Sequence, residues 1–200
     1  MLAHQFAPQR LYTKLKNMEI EIRAEIGNDI KKIEQDIIDL GAKLKKQKEQ
    51  VDKYFGEISL FKKVGYSFLM RIRNEGDKKF LTYKGAESKI DGVWEEYEFS
   101  VDDEKKAEAM LKAMGLEEII VVKKNRTEYT LDNLTICLDT IDGLGNFIEI
   151  ESQDNDDVEK ERLHNLMEKL NIRKEQIIHK GYVTMLLIKN NSPYSEYIIN

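Results

Sequence analysis

From Asn17 to Ile26 the chain reads NMEIEIRAEI, with apolar Met18, Ile20, Ile22 and Ala24 alternating with charged Glu19, Glu21, Arg23 and Glu25. Period-two alternation predicts a β-strand with one apolar and one ionic face. The period then changes. DIKKIEQDIIDLG sets Ile30, Ile33, Ile37 and Leu40 at helical spacing, with Asn28 or Asp29 as cap and Gly41 as terminator. A strand pattern returns over residues 43–55, followed by a loop. SFLMRIRNE and KKFLTYKG then read as a hairpin about Gly76 and Asp77. Residues 93–101 make another strand. DDEKKAEAMLKAMG, with an acidic first turn and a closing Gly115, reads as a helix. EEIIVVKKNRTEYTL, NLTICLDTI and NFIEIES are three more strands, turning at Asp132–Asn133 and Gly143–Leu144–Gly145. The last quarter reads as helical, with Val158, Leu163, Leu166, Met167 and Leu170 on one face and GYVTMLLIKN as a short final helix. Many strands in antiparallel succession with few helices predict an α+β fold built on a large curved sheet or barrel.

The ionic faces sort their charges by sign. Arg71 and Arg73, and Lys124 and Arg126, make basic pairs at spacing two. Glu96 and Glu98, and Glu149 and Glu151, make acidic ones. Thr82 and Lys84 share a face, and Asp139 shares one with Cys137 and Thr135. A solvated sheet face also alternates, but it more often mixes signs along a strand. Segregated charge, with amphipathic helices available to cover the apolar side, points to an ionic face turned inward. Unpaired charge in an interior is costly, so such a face needs ions to complete it. Carboxylates converging from several strands suit hard Mg²⁺ or Mn²⁺. Arginine and lysine on neighbouring strands suit phosphate oxygens. The two together describe a metal–polyphosphate site.

Composition narrows the partners. The 200 residues are 41% apolar and 34% charged with a net charge of −5, which weighs against nucleic acid. The one cysteine, Cys137, excludes an internal disulfide framework and fits a reducing compartment. No apolar run approaches the ~20 residues that span a bilayer, so no membrane partner and a cytoplasmic location are expected. The two prolines, Pro8 and Pro193, leave no proline-rich linker, so residues 18–200 read as one domain. Residues 1–17 read as a basic extension outside the fold, either poorly ordered or appended. The pattern is compatible with a homodimer and does not demand one.

The ordered segments EIEIR, QVDKYF, LMRIR, FLTYKG, EEYEF, VVKKNR and CLDTIDGLGNFIEIE resemble the CYTH, or triphosphate tunnel metalloenzyme, superfamily. The last is similar to its class IV adenylate cyclase (CyaB-like) branch. The likeness covers about residues 18 to 189. It implies a closed, eight-stranded antiparallel β-barrel with helices packed outside. Its tunnel would bind Mg²⁺ or Mn²⁺ and a small-molecule triphosphate: ATP, tripolyphosphate or thiamine triphosphate. By the same resemblance Glu19, Glu21 and Arg23 form the catalytic signature. Glu19, Glu21, Asp139, Glu149 and Glu151 hold metal, with Glu96 and Glu98 in the acidic lining. Arg71, Arg73, Lys84, Lys124, Arg126 and Lys53 bind phosphates. Arg23 stands where the signature has lysine, which keeps the charge but supplies no group that can deprotonate. Trp94 stands where many relatives have arginine. The implied activity is conversion of ATP to cyclic AMP and pyrophosphate. The alternatives are hydrolysis of tripolyphosphate, thiamine triphosphate or a nucleoside triphosphate, and a non-catalytic polyphosphate- or nucleotide-binding module.

Overall fold

A computed structural model describes residues 20–64, 67–85, 95–152 and 157–198. Residues 1–17, Glu19 and Trp94 lie outside them. Nine antiparallel strands form one sheet: β1 (Ile20–Glu25), β2 (Lys43–Gly56), β3 (Phe68–Glu75), β4 (Lys78–Gly85), β5 (Glu95–Ser100), β6 (Glu117–Leu131), β7 (Leu134–Ile141), β8 (Gly145–Ser152) and β9 (Ile177–Ile178). Their spatial order is β5-β4-β3-β2-β6-β7-β8-β1-β9. Five helices accompany them: α1 (Ile30–Asp39), α2 (Ile58–Val64), α3 (Glu104–Ala113), α4 (Asp157–Lys169) and α5 (Tyr182–Lys189).

The first eight strands stand where the alternation placed them. The hairpin β3–β4 turns at Gly76, whose φ of +59° suits a residue without a Cβ. The Asp103 side chain caps α3, accepting the Lys106 amide at 3.1 Å. Asp29 occupies the cap position of α1 without a side-chain cap bond. Two elements had no sequence signal: α2, in a stretch read as loop, and the two-residue β9.

The expected closed, eight-stranded barrel is corrected. Among the described residues β5 pairs only with β4. The free edge of β1 is taken by β9, through Arg23 opposite Ile178 and Ala24 opposite Ile177. The short ninth strand covers the edge of β1 at these two residues. The sheet still curls, because Lys84 on β4 lies close enough to Glu21 on β1 to act on its carboxyl.

The convex face is apolar and covered by helices. Ile22, Ala24, Ile136, Leu138, Ile148 and Ile150 pack under Ile33 and Ile37 of α1 and Leu163 and Met167 of α4. Phe55, Ile72 and Leu81 pack under Ala107 and Leu111 of α3. The concave face changes along its length. At one end Tyr54, Leu69, Val122, Ile141 and Phe147 meet Phe61 of α2 and Tyr182, Leu186 and Leu187 of α5. Beyond this apolar stopper the face is ionic. A separate groove of about 440 Å³ lies on the outer surface beside α4 and the β6–β7 turn, lined by Val158, Arg162 and Asp132 among others.

Candidate functional site

Strand register lines up the ionic residues. Glu21 lies opposite Glu151 and Arg23 opposite Glu149. Arg126 faces Asp139, and Arg73 faces Asp52. Thr82 sits between Arg71 on one side and Glu98 on the other, and Lys84 faces Glu96. Because side chains alternate, all of these share one face. That face is not solvated: Asp139 is 0% exposed, Asp52 1%, Glu149 4%, Arg71 5% and Lys124 8%. It is a trough buried at its centre and more open toward both edges, where the Glu21 side chain on β1 is 38% exposed and those of Glu96 and Glu98 on β5 are 38% and 37% exposed.

Burial on this scale requires pairing. Arg126 donates to Asp139 through Nε at 2.7 Å and Nη2 at 2.6 Å, and its Nη2 also reaches Glu149 at 3.2 Å. Arg23 donates to Glu149 at 3.0 Å and to Glu21 at 2.8 Å. Arg73 makes a two-pronged contact with Asp52 at 2.7 and 2.6 Å. Arg71 reaches Glu96 at 3.0 Å and Glu98 at 2.8 Å, and Lys84 lies 2.7 Å from Glu96. Lys124 differs. Its ammonium has no ion-pair partner among the described residues and stands 5.8 Å from the centre of the Tyr182 ring. Burial, reinforced by Arg126, pushes its pKa down to about 8.

Three carboxylates converge. One oxygen each from Glu21, Glu149 and Glu151 lie within 4.8 Å of one another. Burial opposes the charge on Glu149, but Arg23 and Arg126 hold its carboxyl well below the usual range. Burial and the Glu149 carboxylate push Glu151 up to about 9. The same two causes raise Glu21. An all-oxygen donor set of three crowded carboxylates, whose ion pairs among the described residues are with only two guanidinium groups, those of Arg23 and Arg126, fits a hard divalent cation, which would replace a shared proton.

The sequence profile of the CYTH domain matches residues 17–182. The chain belongs to the CYTH family. This CYTH chain is 34% identical over 174 residues to a Methanocaldococcus jannaschii protein provisionally named an adenylate cyclase, covering 84% of this chain and 98% of that one. Among solved structures, the PH1012 protein of Pyrococcus horikoshii OT3 matches with a TM-score of 0.71 at 31% identity, over 83% of this chain and 98% of that one. A Hippeastrum protein described as an adenylyl cyclase with a dominant triphosphatase activity matches with a TM-score of 0.65 at 17% identity, over 88% and 96%. At that identity the likeness is one of fold.

The CYTH trough gathers some expected residues and not others. Glu21, Glu149 and Glu151 form the acidic cluster. Asp139 adjoins it but is held by Arg126. Glu96 and Glu98 lie on β5, facing Arg71 and Lys84. Arg23, Arg71, Arg73, Lys84, Lys124 and Arg126 all face the trough. Lys53 does not. It points outward beside Phe55 and pairs with Glu104 at 2.8 Å and Glu108 at 3.3 Å on α3. Phe55, 0% exposed in the outer core, decides the matter, since residues at spacing two share a face. Cys137 is buried opposite Glu128 and Glu149, and burial raises its thiol pKa.

Sequence reading missed Asp52 and Tyr182. The Asp52 signal was present, since an outward Phe55 sends Asp52 inward. Asp52→Ala strands a buried guanidinium and is expected to cost about 3–5 kcal/mol in urea unfolding. Adding Arg73→Met should recover part of that loss, and a full-cost double variant would refute the pairing argument.

Proposed function

We propose that this CYTH protein is a divalent-metal-dependent enzyme that cleaves a phosphoanhydride bond of a triphosphate seated in the trough. One observation carries the reading: carboxylates and cations share a single concave face whose centre, at Asp52, Arg71, Lys124, Asp139 and Glu149, is buried. Glu21, Asp52, Glu96, Glu98, Asp139, Glu149 and Glu151 outnumber Arg23, Arg71, Arg73, Lys84, Lys124 and Arg126 there. A simple anion site would not carry that excess of acid, and a simple cation site would not carry the arginines. A metal-bound polyphosphate reconciles them.

Glu21, Glu149 and Glu151 would hold Mg²⁺ or Mn²⁺, with Glu19 as a further ligand by the family signature. The ion would supply charge neutralisation and orientation of the nucleophile. The chain's own part is to fix the phosphates. Arg23, Arg71, Arg73 and Arg126, braced by carboxylates, present guanidinium forks in fixed directions, and Lys84 and Lys124 add point charges. These groups meet the charge that builds on the phosphoryl oxygens as the bond breaks.

The archaeal relative's provisional name favours attack by the ribose 3′-oxygen of ATP on the α-phosphorus, releasing pyrophosphate. A second reading, attack by water on the terminal phosphorus, is favoured by the lining of the trough, whose described ionic groups recognise phosphate and metal and need no base. The Hippeastrum neighbour's described activity fits it. A third reading is a binding module without turnover. Purified protein incubated with ATP, tripolyphosphate or thiamine triphosphate and Mg²⁺ or Mn²⁺ separates them. Cyclic AMP with pyrophosphate identifies the cyclase, and orthophosphate identifies the triphosphatase. Binding without turnover identifies the module. EDTA is expected to abolish turnover, and activity undiminished by EDTA would overturn the metal requirement.

A further inference from the structure

We propose that Tyr182 is a positioning residue of this site, setting the orientation of Asp139 and Glu149 through its hydroxyl and supporting Arg23 through its ring. The inference rests on reading the trough as a metal–triphosphate site. Tyr182 arrives from outside the sheet, on the first turn of α5. Its hydroxyl lies 3.1 Å from Asp139 Oδ2 and 3.3 Å from Glu149 Oε2. Its ring stands 5.1 Å from that of Phe147, and the Arg23 guanidinium carbon lies 4.6 Å from its centre.

The consequence lies in how the oxygens are used. Glu149 Oε2 receives Arg23 Nε and Arg126 Nη2 and lies within reach of the Tyr182 hydroxyl. The two guanidinium donors on one oxygen pin the carboxylate's rotation and leave Oε1 free of them. Asp139 Oδ2 receives Arg126 Nη2 and lies nearer the same hydroxyl, whose single proton is shared between the two carboxylates. The phenol therefore spans the two carboxylates that bracket Arg126. Burial and the Glu149 charge hold the phenol pKa well above its usual value, so the group stays a proton donor across the neutral range. Partners that orient metal-ligating carboxylates typically matter 10–100-fold in metal affinity. The ring has a second task. A guanidinium over an aromatic face is attracted to it, and Arg23 stands where the family signature has lysine. The Tyr182 ring braces that larger, planar group beside the phosphate path.

The test compares Tyr182→Phe, which keeps the ring, with wild type. Mn²⁺ is titrated into metal-free protein without substrate, and free Mn²⁺ is read by electron paramagnetic resonance. The rise in melting temperature on adding Mn²⁺ is measured in parallel, a readout that survives a modest loss of stability. Tyr182→Phe is expected to weaken Mn²⁺ binding about 10–100-fold and to shrink the Mn²⁺-induced rise. Tyr182→Leu, lacking the ring, is expected in addition to raise KM for tripolyphosphate above that of Tyr182→Phe. Wild-type Mn²⁺ affinity and an undiminished rise in Tyr182→Phe would overturn the inference while leaving the proposed function standing. A wild-type protein that binds no Mn²⁺ would overturn both.

Discussion

Glu149→Gln is expected to reduce metal-dependent turnover by about 10³-fold, the loss of a charged group that meets both the cation and the phosphate-binding arginines. No other carboxylate described in the trough makes as many of its contacts. Glu149 belongs to the acidic cluster, pairs with Arg23 and Arg126, and accepts the Tyr182 hydroxyl. Removing its charge therefore touches stability as well as catalysis. Arg23 keeps Glu21 and Arg126 keeps Asp139, so neither guanidinium is wholly stranded. The expected cost sits near the lower end of that for breaking a buried pair, about 3 kcal/mol. The pH dependence has a definite sign. A carboxylate held below its unfolded value contributes stability that is present above about pH 4.3 and lost as pH falls through the folded value. Glu149→Gln should therefore lose less stability on acidification than wild type. Urea unfolding at about pH 4 and about pH 2.5, both below the range in which the raised Glu151 carboxyl adds its opposite slope, checks this, alongside the triphosphate assay. Wild-type turnover in this variant would remove Glu149 from the metal site.

What the chain disclosed in advance follows its physics. Strands of six or more residues announced themselves by period, because each buries one face and leaves charge on the other. The seven-residue α2 is too short for a helical repeat to show. The two-residue β9 carries no period at all, and it decides how the edge of β1 is used. Closure of a sheet depends on which edges meet, and edge pairing leaves no mark on any single strand. The same distinction holds within the site. Arg71 with Arg73 and Glu149 with Glu151 were legible because the sign of charge repeats at spacing two. Lys53 was misplaced because a long side chain in an amphipathic strand follows its neighbours, and the buried Phe55 sends it outward. Tyr182 was invisible for another reason. It meets Asp139 and Glu149 from 43 and 33 residues away, and only the docking of α5 brings it there.

Lys124 gives the other large effect, and it separates the site's cost to the fold from its use in binding. Burial first, then Arg126, lowers its folded pKa to about 8, against about 10.4 in an unfolded chain. Asp139 on β7 and Asp52 on β2 act the other way, Arg73 on β3 acts with Arg126, and none outweighs the loss of water. Between those two values the unfolded chain holds the extra proton, so stability rises with pH. At about 1.4 kcal/mol per pH unit the gain across the window is about 3 kcal/mol. Lys124→Met should abolish the rise and be the more stable protein at pH 7. Triphosphate binding should run in the opposite direction. A phosphate seated beside Lys124 supplies the anion it lacks and favours the ammonium, so wild-type affinity is expected to fall up to tenfold per unit above pH 8. Lys124→Met should bind weakly at every pH. Lys124→Arg, always charged, should bind without the alkaline fall. Urea unfolding from pH 7 to 10 and calorimetric titration with a methylene-bridged tripolyphosphate analogue read both trends. A wild type whose stability is flat from pH 8 to 10 would show that Lys124 is not the strained, uncompensated cation its surroundings make it. Opposite slopes in the two measurements would show a fold that carries an unfavourable charge where its ligand needs one.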